Sequence, residues 1–186
     1  MTQKKWSTIK GALKDVSRAG LLGLVTDLYK LNAENKRFLH TRFDENLDPL
    51  KEYKEIIEKN IAPNDYDFWN RTISSSKARR AISDYKKALG KPEGVLELMV
   101  YYCECGTDFT IEMGDIDEAF YNSLGSMYNS VFEFLNKEPE LKGSFLPRLQ
   151  NIITKAKKRG IGWGFSDHIS FLLENYLESE KTNVGA

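Results

Sequence analysis

The chain has 186 residues, sets 27 Lys and Arg against 27 Asp and Glu, and is 41% hydrophobic. It is long enough to bury a core without metal or disulfide support, and too rich in large apolar groups for a disordered segment. A net charge of zero lacks the overall basic character usual in nucleic-acid-binding domains, and only six valines disfavour a sheet-rich fold.

The elements follow in chain order. Trp6, Ile9, Leu13 and Val16 recur at the helical period, and Ser17 is placed to cap a second helix bearing Leu21, Leu22, Leu24, Val25, Leu28 and Tyr29. Gly20 and Gly23 in that helix offer a close helix approach. A third helix, residues 32–43, is expected to bury Phe38, Leu39 and Phe43, and a fourth, 47–61, presents Leu50, Tyr53, Ile56, Ile57 and Ile61. The apolar stretch 19–25 is closed in by Arg18 and Asp27, so it reads as part of a helix and not as a signal peptide, and no run approaches a membrane span. The expected address is the cytoplasm.

Residues 62–76, "APNDYDFWNRTISSS", have no period and read as a long loop or a seam between an N-terminal and a C-terminal half of one domain, 1–186, with Phe68 and Trp69 pinning it to the body. Ser74, Ser75 and Ser76 offer caps for a helix with Ala78, Ala81, Ile82, Tyr85 and Leu89, stopped at Gly90. Pro92 suits the first turn of the next, which runs to Met113 and ends at Gly114. Asp115 followed by Glu118 has the spacing of a capping box, which makes Asp115 the expected N-cap of a helix carrying Phe120, Leu124, Tyr128, Val131 and Leu135. Phe145, Leu149, Ile152, Ile153 and Ala156 mark another, ending in a cationic turn. A last helix starts near Asp167, with its tail "SEKTNVGA" expected to fray.

Eight or nine helices with short connections make the class all-α: an irregular multi-helix bundle or a stack of antiparallel helical hairpins. Laid over one another, the segments give no self-similar period of 34 or 40-odd residues.

Charge is unevenly distributed. Residues 1–42 carry +6, 43–70 carry −5, 71–91 carry +6, 92–140 carry −10, 141–159 carry +6 and 160–186 carry −3. Alternating blocks cancel if neighbouring segments pack side by side, and form opposed faces if alternate helices collect one sign.

The stretch "GIGWGFSDH", residues 160–168, has the spacing of neither a dinucleotide fingerprint nor a P-loop, and a helix precedes it. It reads as a helix joint in which Trp163 and Phe165 are buried wedges and the glycines supply positive φ. His40 and His168 lack the paired spacing of helix-borne metal ligands. The acidic turn Asp115, Asp117, Glu118 lacks the acceptor spacing of a calcium loop, and Glu97, Glu104, Asp108 and Glu112 fall near one helical stripe. If any residues carry chemistry they are Asp115, Asp117, Glu118, Trp163, Asp167 and His168. A basic patch would comprise Lys77, Arg79, Arg80, Lys86 and Lys87 with Lys155, Lys157, Lys158 and Arg159. Cys103 and Cys105, one residue apart, read as reduced thiols.

The stretches "SSKARRAISDYKKA" (75–88), "MGDIDEAFYNSLGSMY" (113–128), "GIGWGFSDHISFL" (160–172) and "DLYKLNAENKRFL" (27–39) resemble the recurring segments of a family of small helical bacterial proteins known only as a domain of unknown function. The resemblance implies one helical unit and brings no catalytic residue. The expected function is a non-enzymatic protein-interaction scaffold with a charge-polarised surface and no cofactor. The alternatives are a metal-dependent or acid/base enzyme built on the 115–118 turn and His168, and a nucleic-acid-binding module built on the basic patch.

Overall fold

A computed structural model describes residues 5–64 and 73–184, with side chains described as far as Lys181. Among them are nine α-helices, one short 3-10 helix and no strand: α1 (Trp6–Lys14), α2 (Arg18–Leu31), α3 (Ala33–Phe43), α4 (Lys51–Ile61), α5 (Ser75–Ala88), α6 (Pro92–Met113), α7 (Glu118–Leu135), the 3-10 turn Pro139–Leu141, α8 (Lys142–Arg159) and α9 (Phe165–Val184). The protein is an all-α multi-helix bundle. It divides into two compact units, residues 1–47 and 48–186. The 62–76 segment lies inside the second; residues 65–72 of it, Phe68 and Trp69 among them, fall outside the described residues.

In the first unit the expected caps form. Ser17 Oγ accepts from the Gly20 amide at 3.1 Å, and Asn32 Oδ1 accepts from the Asn35 amide at 2.8 Å. Helix α3 folds back on α2, where the Asn35 side-chain amide donates to the Leu28 carbonyl at 2.7 Å and Tyr29 Oη meets His40 Nε2 at 3.0 Å. Leu22, Val25, Phe38 and Leu39 line the groove between the two helices. Phe43, expected to be buried, ends α3 on the lip of that groove and is 72% exposed. Indeed no residue of α1, α2 or α3 is buried, because two paired helices have too few neighbours to enclose a side chain. Gly23 faces open space, so the close approach expected at Gly20 and Gly23 is not made, and Val16 of the same chain occupies the space beside Gly20.

The second unit holds the core. Consecutive helices pair as three hairpins, α4 with α5, α6 with α7 and α8 with α9. Packing between hairpins joins α4, α6 and α8 in one layer and brings α7 against α9 in the other. Helices sharing a layer run parallel: Lys54 reaches Glu97 and Tyr101 reaches Glu58, while Tyr121 meets Phe165 and Phe132 meets Tyr176. The chain separation across these contacts is nearly constant, 43 residues for Lys54 to Glu97, 44 for Arg79 to Ser123 and 44 for Glu104 to Arg148. A structural repeat of about that length is therefore present, although the residues do not repeat.

Close packing is set by small residues at hairpin crossings. A Cβ on Gly106 of α6 would lie 2.3 Å from Leu124 Cδ2 of α7 and 3.1 Å from Ile61 Cγ2 of α4, so only glycine lets these three helices meet. The large aromatic side chains Tyr53, Tyr85, Tyr102 and Tyr128 are fully enclosed, and Tyr128 Oη donates to the Leu149 carbonyl at 2.9 Å, joining α7 to α8. Helix α4 begins at Lys51, later than the expected 47, because Asp48 Oδ1 takes the Leu50 amide at 2.9 Å in a turn containing Pro49. The C-terminal stretch expected to fray continues α9 as far as Val184.

Candidate functional site

Parallel running of α6 and α8 brings together the two turns singled out in the sequence, 114–117 and 160–164. The Gly162 amide donates to Asp115 Oδ1 at 3.0 Å, and Tyr121 Oη donates to the same oxygen at 2.8 Å. Thr110 Oγ1 lies 2.5 Å from Tyr121 Oη and 3.0 Å from the Gly114 carbonyl. Since the tyrosine proton is committed to the carboxylate, the threonine proton is shared between Tyr121 and Gly114. Burial raises the Tyr121 pKa to about 12, and the Asp115 charge adds to that effect, so the phenol stays protonated.

Asp115 is therefore a tertiary acceptor and not the N-cap. The cap of α7 is Asp117, whose Oδ1 takes the Phe120 amide at 2.8 Å. Glu118, in the first turn of α7, is exposed. The positive φ expected of the glycines holds for Gly160 and Gly164, at 63° and 65°, whereas Gly162 serves a different need. A Cβ there would lie 2.3 Å from Asp115 Oδ2. Phe165 is the buried wedge that was expected, its ring tilted against that of Tyr121. Trp163 is not: it takes a positive φ of 58° and is 62% exposed. Asp167 and His168 are exposed in the first turn of α9, and the His168 ring lies against Gly125, where a Cβ would approach Cδ2 to 2.9 Å. The arrangement joins hairpins, with Asp115 taking both the Gly162 amide and the Tyr121 hydroxyl. Among the described residues, no group of three His, Cys, Asp or Glu could hold a metal ion.

A second constellation runs along the outside of the α4, α6, α8 layer. Glu97 accepts from Lys54 Nζ at 2.6 Å and from the Arg148 guanidinium, which also forks onto Glu104 at 2.9 and 2.6 Å. One helical repeat further on, Lys155 Nζ donates to both oxygens of Asp108 at 2.7 and 2.8 Å. Burial pushes the Glu97 carboxyl up, but hydrogen bonds from Arg148 and Lys54 outweigh it and the net shift is downward. The same bonds to Glu104 and Glu97 raise the Arg148 pKa. Acidic block 92–140 and basic block 141–159 thus meet at short range. Arg148 and Lys54 were not singled out in the sequence. The signal was there: Glu97 and Glu104, like Arg148 and Lys155, are seven residues apart and share a helix face.

The basic patch is divided by the fold. Its 77–87 members lie on α5, which packs on α4 and α6, and its 155–159 members on α8, which packs on α6 and α9. Arg79 turns inward, donating to the Ser123 carbonyl at 2.6 Å and lying over the Tyr102 ring. Arg80 and Lys87 flank Asp84 on their own helix at 3.7 and 3.2 Å. Lys155 is spent on Asp108, and Lys77, Lys86, Lys157, Lys158 and Arg159 are exposed. No helix among the described residues is long and apolar enough to cross a membrane.

Comparison with known proteins returned no matching family model, curated protein or solved structure.

Proposed function

We propose that the chain is a non-enzymatic protein-interaction scaffold, in which a three-hairpin body carries an N-terminal docking unit. The observation behind this reading is the distribution of exposed apolar side chains. Among the described residues, eleven of the fourteen exposed large hydrophobic side chains fall in residues 6–47, from Trp6 and Ile9 to Phe43 and Leu47. A stretch that exposes this much apolar surface while carrying +6 over residues 1–42 has the composition of an interaction site. In the body, by contrast, the acidic helix α6 already has cations from α4 and α8 as partners. The two cysteines are free thiols, Cys103 buried and Cys105 partly so, which suits a reducing compartment, and the reading assigns the protein to the cytoplasm.

Cross-linking in cells that produce the full chain tests this. Partner-derived cross-links are expected at Lys5, Lys10, Lys14 and Lys30 and not at Lys77, Lys86, Lys157 and Lys158 of the body. Cross-links confined to the body lysines, or none to any other protein, would overturn the reading.

A further inference from the structure

The second layer of the body is closed by aromatic pairs at a fixed chain separation. Tyr121 on α7 meets Phe165 on α9, and Phe132 meets Tyr176, each pair 44 residues apart. One repeat earlier the same offset sets Lys77 and Ala88 of α5 against Tyr121 and Phe132, and neither supplies a ring. Helix α7 accordingly packs on α9 and makes little contact with α5. What spans the opening is Arg79, which donates to the Ser123 carbonyl at 2.6 Å and to its hydroxyl at 3.3 Å.

Beside that bridge, toward the C-terminal ends of α5 and α7, the layer opens into a cleft of about 330 Å³ in which α6 shows through. Its lining includes Ile82, Val95, Met99, Met127 and Phe134, and the two methionines suit it to a flexible chain. Lys86 stands on the α5 wall and Lys137 just past the end of α7, both exposed. Among the described residues neither ammonium meets a carboxylate. The one acid of α5, Asp84, is held by Arg80 and Lys87, and Glu133 on the α7 wall accepts from the Asn129 side-chain amide at 2.9 Å.

Size and charge together select an occupant. With Arg79, three cations and one anion line the cleft, so an anionic head is favoured at its rim. Inorganic phosphate would leave the apolar lining uncovered. A partner helix, about 10 Å across with its side chains, needs an unbroken trough, and the Arg79 bridge interrupts this one. A cleft at the small end of ligand sites, apolar within and basic at the mouth, fits a short oily chain that ends in a carboxylate.

We propose that the cleft between α5 and α7 binds a small amphiphilic carboxylate, its aliphatic chain over α6 and its head at the Lys86 and Lys137 rim. The site is separate from the N-terminal docking unit and does not rest on that reading.

The probe is sodium decanoate, titrated into the full-length protein below its micelle-forming concentration and followed through the methyl resonances of Met99 and Met127. Decyltrimethylammonium, the same chain on a cation, and acetate, the head alone, are the controls. Decanoate should give saturable shifts and bind about tenfold or more tightly than the cationic chain, while acetate gives none. Lys86→Glu/Lys137→Glu should weaken decanoate about tenfold and reverse the preference between the two chains. Ser83→Trp, which sets a ring at the mouth without changing charge, should block both. All three positions are exposed, so circular dichroism and melting temperature should match the parent; Lys86→Gln/Lys137→Gln is the second test of the rim. Equal binding of the two chains, no saturable shift, or binding unmoved by these variants would overturn the proposal. So would saturable shifts confined to Leu22 and Phe38 of the first unit, or sedimentation with phosphatidylglycerol vesicles in the absence of decanoate binding.

Discussion

Asp115 and Gly162 lie 47 residues apart in the chain and meet in the fold, the glycine amide donating to the carboxylate at 3.0 Å. The contact ties the turn after α6 to the turn after α8, two helices that run side by side. Replacing Gly162 with alanine sets a methyl 2.3 Å from Asp115 Oδ2, and the carboxylate must swing aside, giving up its bonds from Gly162 and Tyr121. We expect Gly162→Ala to cost about 2 kcal/mol in urea unfolding. Asp115→Asn, which keeps an acceptor at the same place, should cost about 1 kcal/mol or less. A neutral Gly162→Ala would show that the Asp115 carboxylate contributes little to joining the two turns.

Arg148 is the cation shared by Glu97 and Glu104, two turns apart on α6, and its removal leaves Glu97 with Lys54 alone and takes from Glu104 its guanidinium partner. Arg148→Ala should destabilise the protein by about 2 kcal/mol, less than for a fully buried pair because water reaches the groups. The pH dependence follows in sign. Glu97 has a lower pKa folded than unfolded, so its contribution is complete above the ordinary carboxylate value and is lost as pH falls through the folded value. In Arg148→Ala, burial acts with one cation fewer to oppose it, so the folded value rises toward the unfolded one and the variant should lose less stability than the parent as pH falls. Thermal melts from pH 7 down to pH 3 measure both; coincident profiles for parent and variant would refute the assignment.

Burial pushes the thiol of Cys105 up to about 12 and that of Cys103 higher still. Thiolate is scarce at neutral pH in both, so the native protein should react with an aromatic disulfide reagent about a hundredfold more slowly than the same chain in guanidinium. Rapid release of chromophore from the folded protein would show that the CEC segment opens.

Asp115 and Asp117 have structural tasks, and His168 rests against Gly125. Millimolar magnesium, manganese or zinc should therefore leave the melting temperature unchanged within about a degree. A rise of several degrees, abolished by Asp117→Asn or His168→Ala, would restore the metal-enzyme alternative.

Features decided within one turn of chain were legible beforehand. Ser17 caps α2, Gly160 closes α8 in the left-handed region, and Pro92 opens α6, each a choice that neighbouring backbone atoms make alone. Asp115 was misread because its spacing to Glu118 satisfies a local rule that its tertiary partners Gly162 and Tyr121 override. The size of Trp163 suggested burial, yet the turn exposes it, and Phe165 fills the space. The unit formed by α1 to α3 was the larger surprise: its amphipathic period is the same whether a core covers the stripe or nothing does.

The structural repeat escaped detection for a related reason. At equivalent places in successive hairpins stand Lys54 and Glu97, and again Glu104 and Arg148. Matched positions attract one another and so carry unlike residues, which a comparison seeking identity scores as noise. The alternating sign of the charge blocks is the trace this leaves in the chain.

That arrangement makes the stack non-interchangeable. Excising α6 and α7 would bring Lys54 toward Arg148, cation upon cation, and doubling the middle hairpin would set Glu97 and Glu104 against their own copies. Arrays of identical modules lengthen or shorten freely in evolution. Here each layer recognises its neighbour by opposite polarity, so the order and number of hairpins are written into the ladder itself.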